Sequence, residues 1–447
     1  LFLLVYQELF GLFWPSLCLP ENVMIAAYFL FRKPIMTLDP QAIRAQFPVH
    51  DAIFFDNPAG TQVPQMVIDA VSNYYRNMNA NSGGAFATSQ RTDAMVQATR
   101  EKMADFLNAP RADEIVFGPN MTTLNFGLSR ALAQTLKPGD EIVLTRMDHD
   151  ANVAPWLRIA EDYQLVIRWV DIHTEDCTLD MDSLEAALTD RTKIVATVHA
   201  SNAVGTINPV AQIAQMAHAA GAYYVVDAVQ SAPHIPIDVQ AIGCDFLLCS
   251  AYKFYGPHIG ILWGRYDLLA ELPAYKVRPS KDKPPFRWET GTPSFETIAG
   301  VGAAVDYLHG IGQQHGSAYV SQFPGFTGCR LELKTAMAAL IDYERDLVSH
   351  LIDMLKSLPG VTIAGITDPS RYAERVPTVV FVKDGHTPAE IAEHLAKHNI
   401  YVWDGNYYAV EIMNRLDRGQ HGMVRVGLAH YNTHEEIDHL KTALLAL

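Results

Sequence analysis

The chain has 447 residues, 49% of them hydrophobic and 19% charged, with a formal net charge of −15. This composition excludes a disordered, collagenous or coiled-coil architecture, and the length suits about two or three domains. An acidic balance with no Lys/Arg run offers DNA or RNA no electrostatic footprint, so no nucleic-acid partner is expected. The five cysteines (Cys18, Cys177, Cys244, Cys249 and Cys329) are scattered and form no CxxC. They read as buried thiols of a reducing compartment, and a cytoplasmic protein is expected.

Residues 1–36 differ in texture from the rest. Their apolar stretches are broken by Glu8, Glu21 and the pair Arg32–Lys33, and the longest uncharged run covers residues 9–20. A membrane-spanning helix needs about 18 apolar residues or more. The segment is expected to be a hydrophobic extension outside the fold, with Met36 as the natural start; the alternative is a membrane-associating helix. No membrane partner is expected unless that extension is real.

From residue 54 to about 265, apolar runs alternate with helical patterns. Strands are expected at 114–117, 141–145, 165–170, 193–199, 222–227 and 245–250, with helices such as 122–135 and 210–220 between them. The runs are apolar on both faces, as in a parallel sheet covered on both sides. The alternation predicts an α/β, doubly wound, mainly parallel sheet, with ligand groups at the carboxyl ends of the strands. Residues 277–287, rich in Pro and charge, read as a long loop. Past residue 320 the pattern becomes α+β, with strands expected at 376–382, 400–403 and 423–426. Capping boxes at Thr387–Glu390 and Thr433–Glu436 open two helices.

The chemistry concentrates between residues 223 and 260. Asp227 closes one buried apolar strand, and the next ends in Ser250-Ala251-Tyr252-Lys253. A carboxylate and an amine at neighbouring strand ends suit pyridoxal 5'-phosphate. That cofactor needs a lysine for its Schiff base and an acid to keep its pyridine nitrogen protonated. The alternative is a structural Asp–Lys ion pair. Other strand ends carry fitting groups. Asn120-Met121-Thr122 precedes a helix and can seat a phosphate. His149 can stack on an aromatic ring, and Asn202 can hydrogen-bond a phenolic oxygen. His394 and His398 lie four apart on a helix but lack a third ligand, and Gly83-Gly84 lacks the strand–helix context of a dinucleotide loop; neither metal nor dinucleotide is expected.

Seven runs carry a family resemblance: FFDNPAGTQVP (54–64), MDHDANVAPW (147–156), VHASNAVGTINPV (198–210), VVDAVQSAPH (225–234), SAYKFYGP (250–257), WETGTPS (288–294) and VRVGLAHYNTHEEID (424–438). On these the chain resembles the class V aminotransferases, fold-type I pyridoxal-phosphate enzymes, and in particular their cysteine-desulfurase branch. The resemblance implies a large cofactor domain over 54–305, a small C-terminal domain over 320–447 joined by an N-terminal arm at 37–53, and a homodimer with shared active sites. It makes Lys253 the Schiff-base lysine and proton shuttle, Asp227 the partner of the pyridine nitrogen, and His149 the stacking ring. It places Gln230 and Asn202 at the phenolic oxygen. Met121, Thr122 and Ser250 hold the phosphate, with Tyr252 where the family commonly has His, and Thr292 reaches the phosphate of the other subunit. Arg425 clamps the carboxylate of a small amino-acid substrate.

The chain departs from the branch at one decisive place. The position matching the mobile persulfide cysteine is Tyr408, no cysteine follows Cys329, and Trp403 replaces an arginine common upstream. A phenol cannot accept a sulfane sulfur. The expected reaction is therefore β-elimination, as in a C–S lyase. Transamination or epimerisation remains an alternative, as does a non-catalytic relative that binds the cofactor or a protein partner.

Overall fold

The computed structural model describes residues 38–48 and 52–447. The expectations for residues 1–36 and for Cys18 lie outside the described residues.

Seven strands form the central sheet: β1 (Ile115–Gly118), β2 (Glu141–Thr145), β3 (Val166–Val170), β4 (Thr192–Val198), β5 (Tyr223–Asp227), β6 (Phe246–Ser250) and β7 (Gly260–Gly264). Their order is β1-β7-β6-β5-β4-β2-β3, and β7 runs antiparallel to both of its neighbours, β1 and β6. The other pairings are parallel. Both faces are buried, which explains the uninterrupted apolar runs. Val143, Val195, Val226, Leu247 and Ile261 join one core. Ile142, Leu144, Ile194, Val225, Leu248 and Leu262 join the other. Alternation along each strand thus feeds two layers of helices. On the second face lie α3 (Met121–Ala133) and α4 (Ala154–Tyr163); on the first are α2 (Ala87–Leu107), α5 (Val210–Ala219), α6 (Phe295–His315) and the long α7 (Gly328–Lys356), with α1 (Gln65–Asn77) packed on α6.

After α7 comes a four-stranded antiparallel sheet, ordered β8 (Val361–Ala364), β9 (Thr378–Lys383), β11 (Met423–Gly427), β10 (Trp403–Gly405). Helices α8 (Pro388–Lys397) and α9 (His434–Leu445) accompany it. Both open on the expected capping boxes, with Thr387 and Glu390, and Thr433 and Glu436, bonding reciprocally. The helix Pro40–Arg44 reaches this region through Arg44, whose Nη1 bonds Glu436 at 2.6 Å and the Tyr431 carbonyl at 2.9 Å.

Three readings need correction. The strand expected at 400–403 is two short pieces. Ile400–Tyr401 pairs in parallel with Ile53–Phe54, and β10 pairs with β11. The N-terminal segment claims the backbone of 399–401, through Ile53 N–H to Asn399 and Phe55 N–H to Tyr401, so the chain must change partners at Val402. The strand expected at 114–117 starts at Ile115, because Ala112–Glu114 is a 3₁₀ turn. The third concerns β7: no strand is expected at Gly260–Gly264, whose run begins and ends in glycine, a residue depleted in strands.

The glycine that opens β7 has a steric purpose. A Cβ at Gly260 would fall 2.3 Å from Asn120 C and 2.5 Å from Met121 N. Its absence lets the start of α3 settle directly on the sheet. Gly260→Ala is expected to destabilise the chain by about 1–3 kcal/mol, the usual cost of overpacking, measured by denaturant unfolding.

Candidate active site

Five strand ends converge on one cavity of about 650 Å³. Each sits there for a local reason. The side chain of Asn120 caps α3 by accepting from Thr123 N–H at 2.8 Å. The N–H groups of Met121 and Thr122, at the positive end of the helix, are thereby left for an anion. Beyond β2, Asp148 is buried and holds the next turn, accepting from Thr145 Oγ1 and from Asn152 Nδ2 at 2.7 Å. This turn carries His149 into the cavity. After β4 comes Asn202, after β5 Asp227 and Gln230, and after β6 Ser250, Tyr252 and Lys253. Arg425 enters from β11. All ten of these expected site residues line the cavity.

Thr292 does not join them. It lies in a separate recess of about 350 Å³, beside Trp288, Glu289 and His258.

Burial sets the charges. Lys253 is surrounded by protein, and desolvation helped by the charge of Arg425 lowers its amine to about 7. Its Nζ bonds the carbonyl of Pro58 rather than Asp227, so the two are not a structural ion pair. Desolvation raises Asp227 to about 6, against the opposing effects of Val229 N–H and Lys253. A buried acid of this kind is suited to a protonated ring nitrogen. His149 is lowered to about 4, chiefly by burial and then by Lys253 and Arg425. Its Nδ1 accepts from Ala151 N–H at 3.0 Å, which fixes a neutral ring. Buried Asn202 Oδ1, His199 Nδ1 and Arg425 Nε have no hydrogen-bond partner. An anion seat, a low-pKa amine, a buried acid, a neutral flat ring and unpartnered polar atoms together fit pyridoxal 5'-phosphate.

Part of the cavity wall is aromatic. Trp403, Tyr407 and Tyr408 line it, and the ring of Tyr408 lies 5.6 Å from that of His149. Tyr407 and Tyr408 both adopt left-handed backbone, at φ 54° and 57°. The strand ends hold them there: Asn202 Nδ2 donates to the Tyr407 carbonyl at 2.9 Å, and Asp150 N–H to that of Tyr408 at 2.7 Å. Such strain persists only where surroundings impose it.

The residues of FFDNPAG (54–60) gain their roles only in the fold. In the structure Asp56 Oδ1 accepts from Arg425 Nη2 at 3.1 Å, and the Pro58 carbonyl accepts from Gln230 Nε2 at 2.7 Å as well as from Lys253. A carboxylate inside a short apolar segment was the available signal.

Comparison with known proteins agrees with this geometry. The family model for aminotransferase class-V matches residues 53–332 and 314–440. A probable cysteine desulfurase of Streptomyces coelicolor is 32% identical over 434 residues, covering 91% of this chain and 96% of its own length. A cysteine desulfurase of Synechococcus elongatus is 33% identical over 91% of this chain, which spans 63% of that longer protein. Among solved structures, the apo cysteine desulfurase of Thermococcus onnurineus superposes with a TM-score of 0.80 at 28% identity, covering 91% of this chain and 97% of that one. The chain belongs to the class V aminotransferase family of pyridoxal-phosphate enzymes.

Proposed function

We propose that the chain is a β-eliminating lyase acting on a small amino acid, with a C–S bond as the bond broken. The observation that carries this reading is at the cavity rim. Tyr408, which the sequence resemblance sets against the persulfide cysteine of the desulfurase branch, is 71% exposed, and none of the described cysteines lines the cavity. Cys177, Cys244 and Cys249 are buried, and Cys329 stands at the start of α7.

In this reading residues 54–305 hold the cofactor, and residues 320–447 with the arm at 37–53 supply the substrate clamp. Met121, Thr122, Ser250 and Tyr252 seat the phosphate. Asp227 keeps a proton on the pyridine nitrogen, His149 covers the ring, and Asn202 and Gln230 border its phenolic oxygen. Thr292 serves the phosphate of a second subunit in a homodimer. The cofactor, when bound, supplies an electron sink for charge released at the substrate Cα. Arg425 holds the substrate carboxylate. Lys253, its amine lowered to about 7 and so available as a base near neutral pH, takes the Cα proton. The β-substituent departs with the electron pair of its bond, and hydrolysis of the product gives a keto acid and ammonia. With no thiol among the described residues that line the cavity, none of them takes the sulfur as a persulfide.

Turnover of L-cysteine or L-cystine by the cofactor-loaded chain is expected to yield pyruvate and ammonia. Alanine as the sole product overturns elimination, and transfer of the amino group to an added keto acid moves the assignment to transamination. Lys253→Ala is expected to lose the visible band of the lysine-bound cofactor and about 10²–10⁴-fold or more in rate; unchanged turnover refutes the role of the lysine. The pH dependence follows from the lowered amine. Below about 7, Lys253 is protonated and cannot attack. Capture of added cofactor by the cofactor-free chain is therefore expected to speed up about tenfold per pH unit until that point and to level off above it. Arg425→Gln removes one cause of the depression, so the bend moves to higher pH in stopped-flow measurements.

A further inference from the structure

Arg425 already has a carboxylate. The N-terminal segment runs beside β11, with Gly427 N–H donating to the Phe55 carbonyl at 2.8 Å and Asp56 bridging Gly427. This register sets Asp56 against the guanidinium two residues earlier on β11. Both side chains are buried, 12% and 4% exposed, and Asp56 Oδ1 lies 3.1 Å from Arg425 Nη2. Nη1 donates to the Asn202 carbonyl at 3.1 Å, and the Tyr407 ring lies 4.5 Å from the guanidinium carbon. Two corners of the fork are thus held and its plane is fixed. Nε is buried with no partner.

An unpartnered buried guanidinium N–H costs free energy, and Arg425 also lines the cavity. A carboxylate held by Arg425 from the cavity would share its guanidinium with the carboxylate of Asp56, one cation between two anions. At short range and low dielectric, such like-charge proximity weakens binding.

We propose that Asp56 is a positioning residue that sets the affinity of the site for a substrate carboxylate: it holds the Arg425 guanidinium in place and offsets part of its charge. The inference rests on Arg425 being the carboxylate clamp, as in the proposed function. The consequence is weak, readily reversible carboxylate binding, because each incoming anion shares a cation that is already paired. Asp56 also faces Lys253, so the same acid supports the charge of the amine.

The test uses the full chain loaded with cofactor, with propionate as the carboxylate probe and propionamide as its uncharged match. Binding is followed calorimetrically at constant ionic strength. Asp56→Asn keeps an oxygen for Nη2 and removes the charge, so it is expected to bind propionate about tenfold tighter or more while propionamide affinity stays unchanged. Asp56→Ala loses the hold as well and is expected to gain less than Asp56→Asn. A purely structural role would lower the melting temperature of both variants and leave the propionate-to-propionamide ratio at the wild-type value, which overturns the proposal. Arg425→Gln separates the two layers of argument. If propionate binding survives it, the clamp reading falls and the inference with it. If binding is lost there but Asp56→Asn matches wild type within about twofold, the clamp stands and only the role of Asp56 falls. Should Asp56→Asn not fold, a crystal of the wild-type chain soaked with propionate decides. A propionate oxygen on the Arg425 guanidinium, beside Asp56 or in its place on Nη2, supports the proposal, and propionate bound elsewhere overturns it.

Discussion

The site depends on a three-residue stretch that neither sheet contains. Asp56, Asn57 and Pro58 lie where the end of β11 meets the ends of β5 and β6. The Pro58 carbonyl takes both Lys253 and Gln230. The Asp56 carboxylate takes Arg425. Asn57 Nδ2 donates to the Gly427 carbonyl at 2.8 Å and to Asn432 at 3.1 Å, and its Oδ1 accepts from Tyr431. The amine of the central sheet and the guanidinium of the antiparallel sheet meet one cavity because this stretch binds both. Each hydrogen bond is modest in net value, but a buried partner left unmade is costly, so the group acts as a unit.

Burial around that unit produces the chemistry. Removing water raises Asp227, lowers His149 and lowers Lys253, all through one physical cause acting on groups of opposite type. An amine lowered to about 7, a neutral imidazole and an acid raised to about 6 coexist at neighbouring strand ends. In water an isolated Lys or Asp titrates several pH units away from these values. The scaffold bears the cost through its two packed cores, which are continuous across both faces of the sheet.

Much of this was legible in the residues. Apolar runs on both faces predict a doubly wound sheet, and the strand ends at Asp227 and Lys253 predict an acid and an amine together. The capping boxes at Thr387 and Thr433 predict helix starts to the residue. What escaped was non-local. The run 400–403 looks like one strand, and only its competition with residues 53–54 divides it. β7 begins and ends in glycine and is defined by its antiparallel neighbours on either side. Asp56 was visible as a letter in a motif, but its partner lies 369 positions away.

The sequence alone determined which side chains are available: the amine of Lys253, the acid of Asp227, the guanidinium of Arg425 and the phenol of Tyr408. Local patterning also settled the class of fold, because hydrophobic period and capping act over a few residues. Only the tertiary structure decided which charges pair and which polar atoms are left without partners. It joined Lys253 to Pro58 instead of Asp227, set Thr292 apart from the cavity, and gave Arg425 a resident carboxylate. Pairing of this kind depends on distance in space and on the exclusion of water, and both arise only when distant segments pack.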